Sequence, residues 1–268
     1  MAFSWGFVLV KALELPAATI AGWRLAIGTL ALSLALIVLG RARKGPLVPV
    51  LGAGVCFGLH QLAFISATHA TSIAVVTLVG ALQPLLVAVL GWRGLPERTR
   101  TAIYFWSLVA TAGVGLVVFA NPAEKSRSAL GDGLSVLNLL LYSAFYLFSK
   151  RARELGWSTL PLTRNTFAIS LLVVAPVWLL GPVLVLPRSD QWGMLAILAL
   201  VPGNGHLLVN WALPRVSAAL GSLVLTAVPL LASLWAHLIF HEPYGLPQLA
   251  GMVFVAAAIE GARRAEAR

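Results

Sequence analysis

The sequence predicts an all-α integral membrane protein, with ten transmembrane helices arranged as two inverted five-helix repeats. Three observations predict it. Of the 268 residues, 59% are hydrophobic and 10% charged, and the mean hydropathy is +0.91. A soluble domain carries about 25% charged residues, so a chain this apolar needs lipid as its solvent. The basic residues alternate from one set of connections to the next. Sparse polar and proline positions recur at a nearly constant offset along the chain.

Ten spans follow in order, at 1–13, 16–40, 46–67, 71–92, 100–120, 133–150, 158–181, 190–212, 216–239 and 245–262. Most approach the roughly 20 residues that cross the hydrocarbon. Their short connections carry Pro or Gly ("ELPA", "RKGPL", "NPAEKS", "EPYGLP"), as helix ends should. The first span is short and interrupted by Lys11, and it lacks the basic start of a signal peptide. It reads as a half-length helix or as the remainder of one that begins upstream of Met1.

With the N-terminus inside, the cytoplasmic connections hold 13 of the 19 basic residues, and the outer ones hold only Lys125, Arg127 and Arg188. That bias sets both termini in the cytoplasm and the chain in the cytoplasmic membrane. The net charge of +10 is thus explained by topology, and no nucleic-acid partner is expected. The lone Cys56 excludes an internal disulfide and reads as packing.

The repeats come next. "TSIAVVTLVGALQPLL" (71–86) resembles "VSAALGSLVLTAVPLL" (216–231), and a shift of 145 carries Ser72 onto Ser217, Pro84 onto Pro229 and Glu97 onto Glu242. A shift of 140 carries Glu14 onto Glu154 and Arg24 onto Arg164, and a shift of 139 carries residues 3–11 onto 142–150. Five helices per unit is an odd number, so units 1–126 and 127–268 would enter the membrane from opposite sides, a design used by secondary transporters.

Polar groups inside spans are costly and therefore ask for a role. Pro202, Gly203 and Gly205 predict a break in the eighth span, with Asn204 beside it. His206 and Asn210, four apart, share one helix face. They read as substrate ligands at mid-depth, or else Asn210 is interhelical glue across a sealed kink. His60 and Gln61 place polar groups at the same level of the third span, with a hydrogen-bonded core histidine as the alternative. Gln83 is a candidate cavity donor. Pro84 and Pro229 kink equivalent helices first and serve as pivots second. Arg24 and Arg164 read as structural, snorkelling or pairing with Glu14 and Glu154. Lys11 either recruits an anion or anchors its helix. Trp5, Tyr142 and Tyr146 offer an aromatic wall for a flat or cationic solute, or simply pack. Glu260 is expected to pair with Arg263 or Arg264.

No HExxH, GxSxG, Walker loop or intramembrane acidic pair stands in the chain. Neither catalytic residues nor a metal or cofactor is expected. Proton coupling would fall to His60 or His206, with exchange and facilitated transport equally open.

"FSWGFVLVKALEL", "GWRLAIGTLAL", "ISATHATSIAVVTLVGALQPLLVAVL" and the segment from "GHLLVNWALPRVS" to "GMVFVAAAI" together resemble the EamA-type branch of the drug/metabolite transporter superfamily. Phe3 stands where that family commonly has tryptophan. The resemblance implies a ten-helix carrier for metabolites, amino acids or xenobiotics, with export favoured over uptake. Its cavity would be lined by helices one, three, four, six, eight and nine, and His60, Gln83, His206 and Asn210 would hold the solute. The partners expected are that small solute and the bilayer, with a homodimer left open. The competing readings are a membrane-embedded enzyme acting on a lipid and a non-transporting scaffold.

Overall fold

The computed structural model describes residues 3–40, 43–94, 99–120, 128–181, 185–240 and 245–267. Among them every regular element is helical: α1 (Ser4–Ala12), α2 (Ala17–Leu39), α3 (Leu47–Ala70), α4 (Ile73–Gly80), α5 (Gln83–Gly94), α6 (Thr101–Ala120), α7 (Ala129–Glu154), α8 (Thr159–Leu179), α9 (Gln191–Ala212), α10 (Ala218–Leu225), α11 (Ala227–Phe240) and α12 (Leu246–Ala267), with one 3-10 turn at Leu213–Arg215. Each of the ten expected segments is helical, and the fourth and ninth are split in two. Six helices, α2, α3 and α6 to α9, are long and apolar enough to cross a membrane.

The surface is inverted relative to a soluble protein. Ile37, Val38 and Leu180 are 77%, 82% and 83% exposed, whereas Arg24, His60, Gln61, Gln83, His206 and Asn210 are buried. Apolar side chains that face outward on so many helices suit a lipid solvent.

The two splits share one cause. Pro84 and Pro229 cannot donate to the carbonyls four residues back, those of Gly80 and Leu225, and each helix stops there. Ala81 and Thr226, 145 positions apart, close the first pieces with the same backbone angles, φ −65° and ψ −14°. The matching first pieces are capped alike: Ser72 accepts from the Val75 amide and Ser217 from the Leu220 amide. The expected break at Pro202–Gly205 is not there. Helix α9 runs unbroken through Pro202, much as α8 runs through Pro176. One proline removes a single helical hydrogen bond, and the bonds on either side hold the axis. Gly205 serves packing instead, because a Cβ there would come within 2.9 Å of the Phe3 ring.

Helix α3 packs on α7 and α8, α2 on α8 and α9, α1 on α9 and α11, α4 on α7, α5 on α10, and α6 on α12. One core gathers Leu9, Leu13, Ile20, Phe57, Phe145, Phe167 and Leu198 between α1–α3 and α7–α9. A second gathers Ala88, Ile103, Val114, Leu223, Val255 and Ala258 where α5, α6, α10 and α12 meet. Polar clasps tie the ends. Ser128 donates to the Ala70 carbonyl (2.7 Å) and Thr71 to Asp132 (2.8 Å), docking the start of α7 on the end of α3. At the opposite end of α7, the buried Lys150 ammonium donates to the carbonyls of Leu213 (2.7 Å) and Val216 (2.8 Å), which closes the turn between α9 and α10. Arg153 donates to the Asn210 carbonyl (2.9 Å) beside it.

Helices α6 and α12 meet backbone to backbone. A Cβ on Gly251 would lie 2.5 Å from the Gly113 carbonyl oxygen, and one on Gly113 would lie 2.8 Å from that of Gly251. Small residues permit such close approach, which is how helices associate in lipid. Gly251→Leu is therefore expected to cost about 1–3 kcal/mol by overpacking, read as a lowered melting temperature of the detergent-solubilised protein.

Candidate functional site

The prolines that split α4–α5 and α10–α11 leave a hollow between the pieces. A cavity of about 150 Å³ lies there, and Gly80 and Leu225, the residues whose carbonyls the prolines strand, are both on its wall. The cavity receives side chains from widely separated helices. Arg24 comes from α2, His60, Gln61 and Phe64 from α3, Thr77 from α4, Gln83 from α5, Asn138 and Tyr142 from α7, His206 from α9 and Thr226 from the second split.

The wall is aromatic and polar together. The His206 ring lies 4.6 Å from both Phe3 and Phe57, edge to face, and 6.3 Å from Tyr142. The His60 ring lies 4.6 Å from Tyr142 and 5.6 Å from Phe57. Phe57 and Tyr142 thus fix both histidines in one layer. Several buried polar atoms there have no hydrogen-bond partner: Nδ1 of His60 and of His206, Nε2 of Gln83 and Oδ1 of Asn138. Groups like these are costly to bury unless something outside the chain meets them.

Among the described residues, Arg24 is the one on the wall that carries a charge. It is 6% exposed and donates to Gln61 Oε1 at 2.8 Å. Among the described residues no carboxylate pairs with it. The expected pairing with Glu14 does not form, and Arg164 bonds Ser33 (3.1 Å) and Asn165 (2.8 Å) rather than Glu154. Glu154 pairs with Lys150 and Arg151 on its own helix, and Glu260 pairs with Arg263 and Arg264 as expected.

The sequence-predicted site is thus brought together in part. His60, Gln61, Gln83, Tyr142, His206, Pro202 and Pro229 reach the cavity. Asn210 does not: its Nδ2 donates to Thr163 Oγ1 at 2.9 Å, so it acts as a bridge from α9 to α8. Trp5 also turns away and packs on Trp235 at 5.4 Å. The side chains of Asn204 and Lys11 lie outside the described residues. Tyr146 is buried in a neighbouring cluster with Val87 and Leu213, off the cavity. Pro84 and Gly203 shape helices without lining the space. Arg24 and Asn138 are the residues that sequence reasoning missed. The signal for Asn138 was a lone amide in an apolar helix, and for Arg24 it was a cation too far from its helix end to reach the headgroups easily.

Two substitutions separate bridge from cavity. Asn210→Ala should lower stability by about 1 kcal/mol through the lost Thr163 bond, measured by thermal unfolding, and leave solute binding intact. Gln83→Ala, which removes an unpartnered amide, should leave the melting temperature unchanged and weaken solute binding.

A comparison with curated proteins gives no match. The fold is similar to that of a protein of known crystal structure, with a TM-score of 0.82 at 16% identity over 100% of this chain and 95% of that one. An identity so low speaks for the fold alone. Residues 129–261, from the start of α7 into α12, match the EamA-like transporter family. Together with the apolar exterior and the membrane-length helices, this identifies a multi-pass membrane protein that belongs, through its second half, to the EamA-like transporter family within the drug/metabolite transporter superfamily.

Proposed function

We propose that the protein is a secondary transporter that moves a small organic solute across the cytoplasmic membrane by alternating access. Ten spans form two inverted halves, 1–126 and 127–268, with both termini cytoplasmic and export as the direction. The observation that carries the reading is the cavity, a partly polar space inside an apolar bundle, lined from both halves of the chain.

The packing supports an internal two-fold. If α1, α2, α3, α4, α5 and α6 correspond to α7, α8, α9, α10, α11 and α12, then α2 on α8 and α6 on α12 map onto themselves. The pairing of α3 with α7 maps onto α9 with α1, α3 with α8 onto α9 with α2, and α5 with α7 onto α11 with α1. Equal breaks 145 positions apart fit the same relation. Inverted repeats of this kind place a solute site at the interface of the halves, near mid-membrane, where unwound backbone is tolerated because it lines a cavity. The broken helices supply pivots, so one half can rock against the other while His60, Gln83 and His206 keep hold of the solute.

Reconstitution in liposomes tests the reading. Solute counterflow is expected with the unaltered chain and should fall at least tenfold, about 1.4 kcal/mol, in His206→Ala. Lipid turnover without flux would instead favour a membrane-embedded enzyme. Single cysteines at Ala123 and Ser158, in a Cys56→Ala background, should label from opposite sides of the membrane. Labelling of both from one side would remove the inversion.

A further inference from the structure

Resting on the transporter reading, we infer that Arg24 is the carboxylate anchor of the cavity, and that the solute is a small organic acid or amino acid rather than a neutral or cationic compound.

Among the described residues, the other buried cations are closed by protein acceptors. Lys150 has two carbonyls and Glu154, Arg153 has the carbonyls of Asn210 and Trp157, and Arg164 has Ser33 and Asn165. Arg24 differs. It sits within α2, is nearly enclosed, faces the cavity, and finds one neutral acceptor, Gln61 Oε1. A guanidinium offers five N–H donors in a fixed fork. One is used by Gln61, and that bond fixes the orientation of the plane. The remaining donors match the two oxygens of a carboxylate, the bidentate geometry for which arginine is suited. An isolated charge in a low-dielectric interior costs several kcal/mol unless it is paired, and among the described residues no acidic one lines this space.

The other orphaned groups extend the match. Gln83 Nε2 is a second unpartnered donor for a carboxylate oxygen. The Asn138 side chain, with an amide oxygen as acceptor, also lines the space, as do Gly80 and Leu225, whose carbonyls no proline N–H can meet. These acceptors suit an ammonium or hydroxyl on the same solute. A cavity of about 150 Å³ is large enough for a benzene-sized body, and Phe3, Phe64 and Tyr142 give such a body an aromatic surround. A single positive charge suits one carboxylate and disfavours a cationic solute by like-charge repulsion.

The test uses the purified full chain in detergent and four compounds of one skeleton: phenylacetate, phenylglycine, phenylacetamide and benzylamine. Binding to the folded state raises the melting temperature, by an increment that grows with the logarithm of the affinity. The two carboxylates are expected to bind at least tenfold tighter than the amide, and the amine is expected to give no shift. Phenylglycine binding tighter than phenylacetate would assign the acceptors to an ammonium and the solute to the amino acids, and the reverse would assign an organic acid. Arg24→Gln should abolish the preference for carboxylate over amide, and Arg24→Lys should restore part of it. The ligand series on the unaltered chain decides the matter even if these variants fold poorly. Equal or tighter binding of the amide or amine, no shift with either carboxylate, or the same shift from chloride alone overturns the assignment. Carboxylate-selective binding without flux in liposomes would keep the assignment and remove the transporter reading. Cavity-dependent flux of phenylacetamide would do the opposite.

Discussion

Hydrocarbon offers no hydrogen bonds, and that single constraint organises this chain. Every polar group within the bundle must be met by the protein or by whatever fills its cavity. The polar side chains meet that demand unevenly, and some atoms away from the cavity, such as Trp23 Nε1, Ser107 Oγ and Asn210 Oδ1, also lack a partner. Ser170 bonds the Gly54 carbonyl, Thr111 bonds Ala81, and Lys150 and Arg153 bond the end of α9. These groups join helices and are satisfied by the fold. Arg24, Gln83, Asn138, His60 and His206 are left with unmet capacity, and all five surround one space. The cost of these unmet groups is borne by the apolar packing around them.

The prolines show how the same residue serves two ends. Pro176 and Pro202 sit inside continuous helices, whereas Pro84 and Pro229 follow actual breaks. What differs is the surroundings. The breaks open onto the cavity, where the Ala81 carbonyl is taken up by Thr111 and the Thr226 hydroxyl donates to the Leu223 carbonyl (2.7 Å). Unwound backbone there has acceptors, donors and room. Around Pro202 the neighbouring turns carry the closely packed Leu198 and the Phe3 contact of Gly205, so nothing is gained by unwinding.

Much of this was legible in the sequence. The helices followed from hydropathy, and the paired breaks followed from the offset between Pro84 and Pro229. His60, Gln61, Gln83 and His206 stood out because a polar side chain in an apolar run is conspicuous, and all four line the cavity. What the sequence left unread was rotational and long-range. His206 and Asn210 share a helix face, but one turn along the axis separates a wall facing the cavity from a contact with Thr163 on α8. Trp5 lies in a helix that supplies the cavity, yet its ring turns to Trp235. Arg24 looked like a snorkelling residue because its depth was judged against the helix end. Only the approach of α3 reveals that its partner is Gln61. Periodicity assigns a face, and neighbours from distant parts of the chain decide what that face meets.

The placement of Arg24 also bears on how a carrier of this design would avoid leaking. Helix α2, which bears the arginine, packs on α8 and α9 of the other half, and the orienting amide comes from α3, which packs on α7 and α8. Rocking one half against the other therefore moves the walls around a charge that belongs to the interface itself. Sealing the empty cavity on both sides would leave the guanidinium with one neutral acceptor in a low-dielectric space, a costly state. A bound carboxylate would cancel that cost, so an occluded state would become accessible when the site is filled. Uncompensated charge would then be the device that ties movement to occupancy, with no need for a dedicated gate. The same groups that make the cavity unfavourable when empty would make it productive when full.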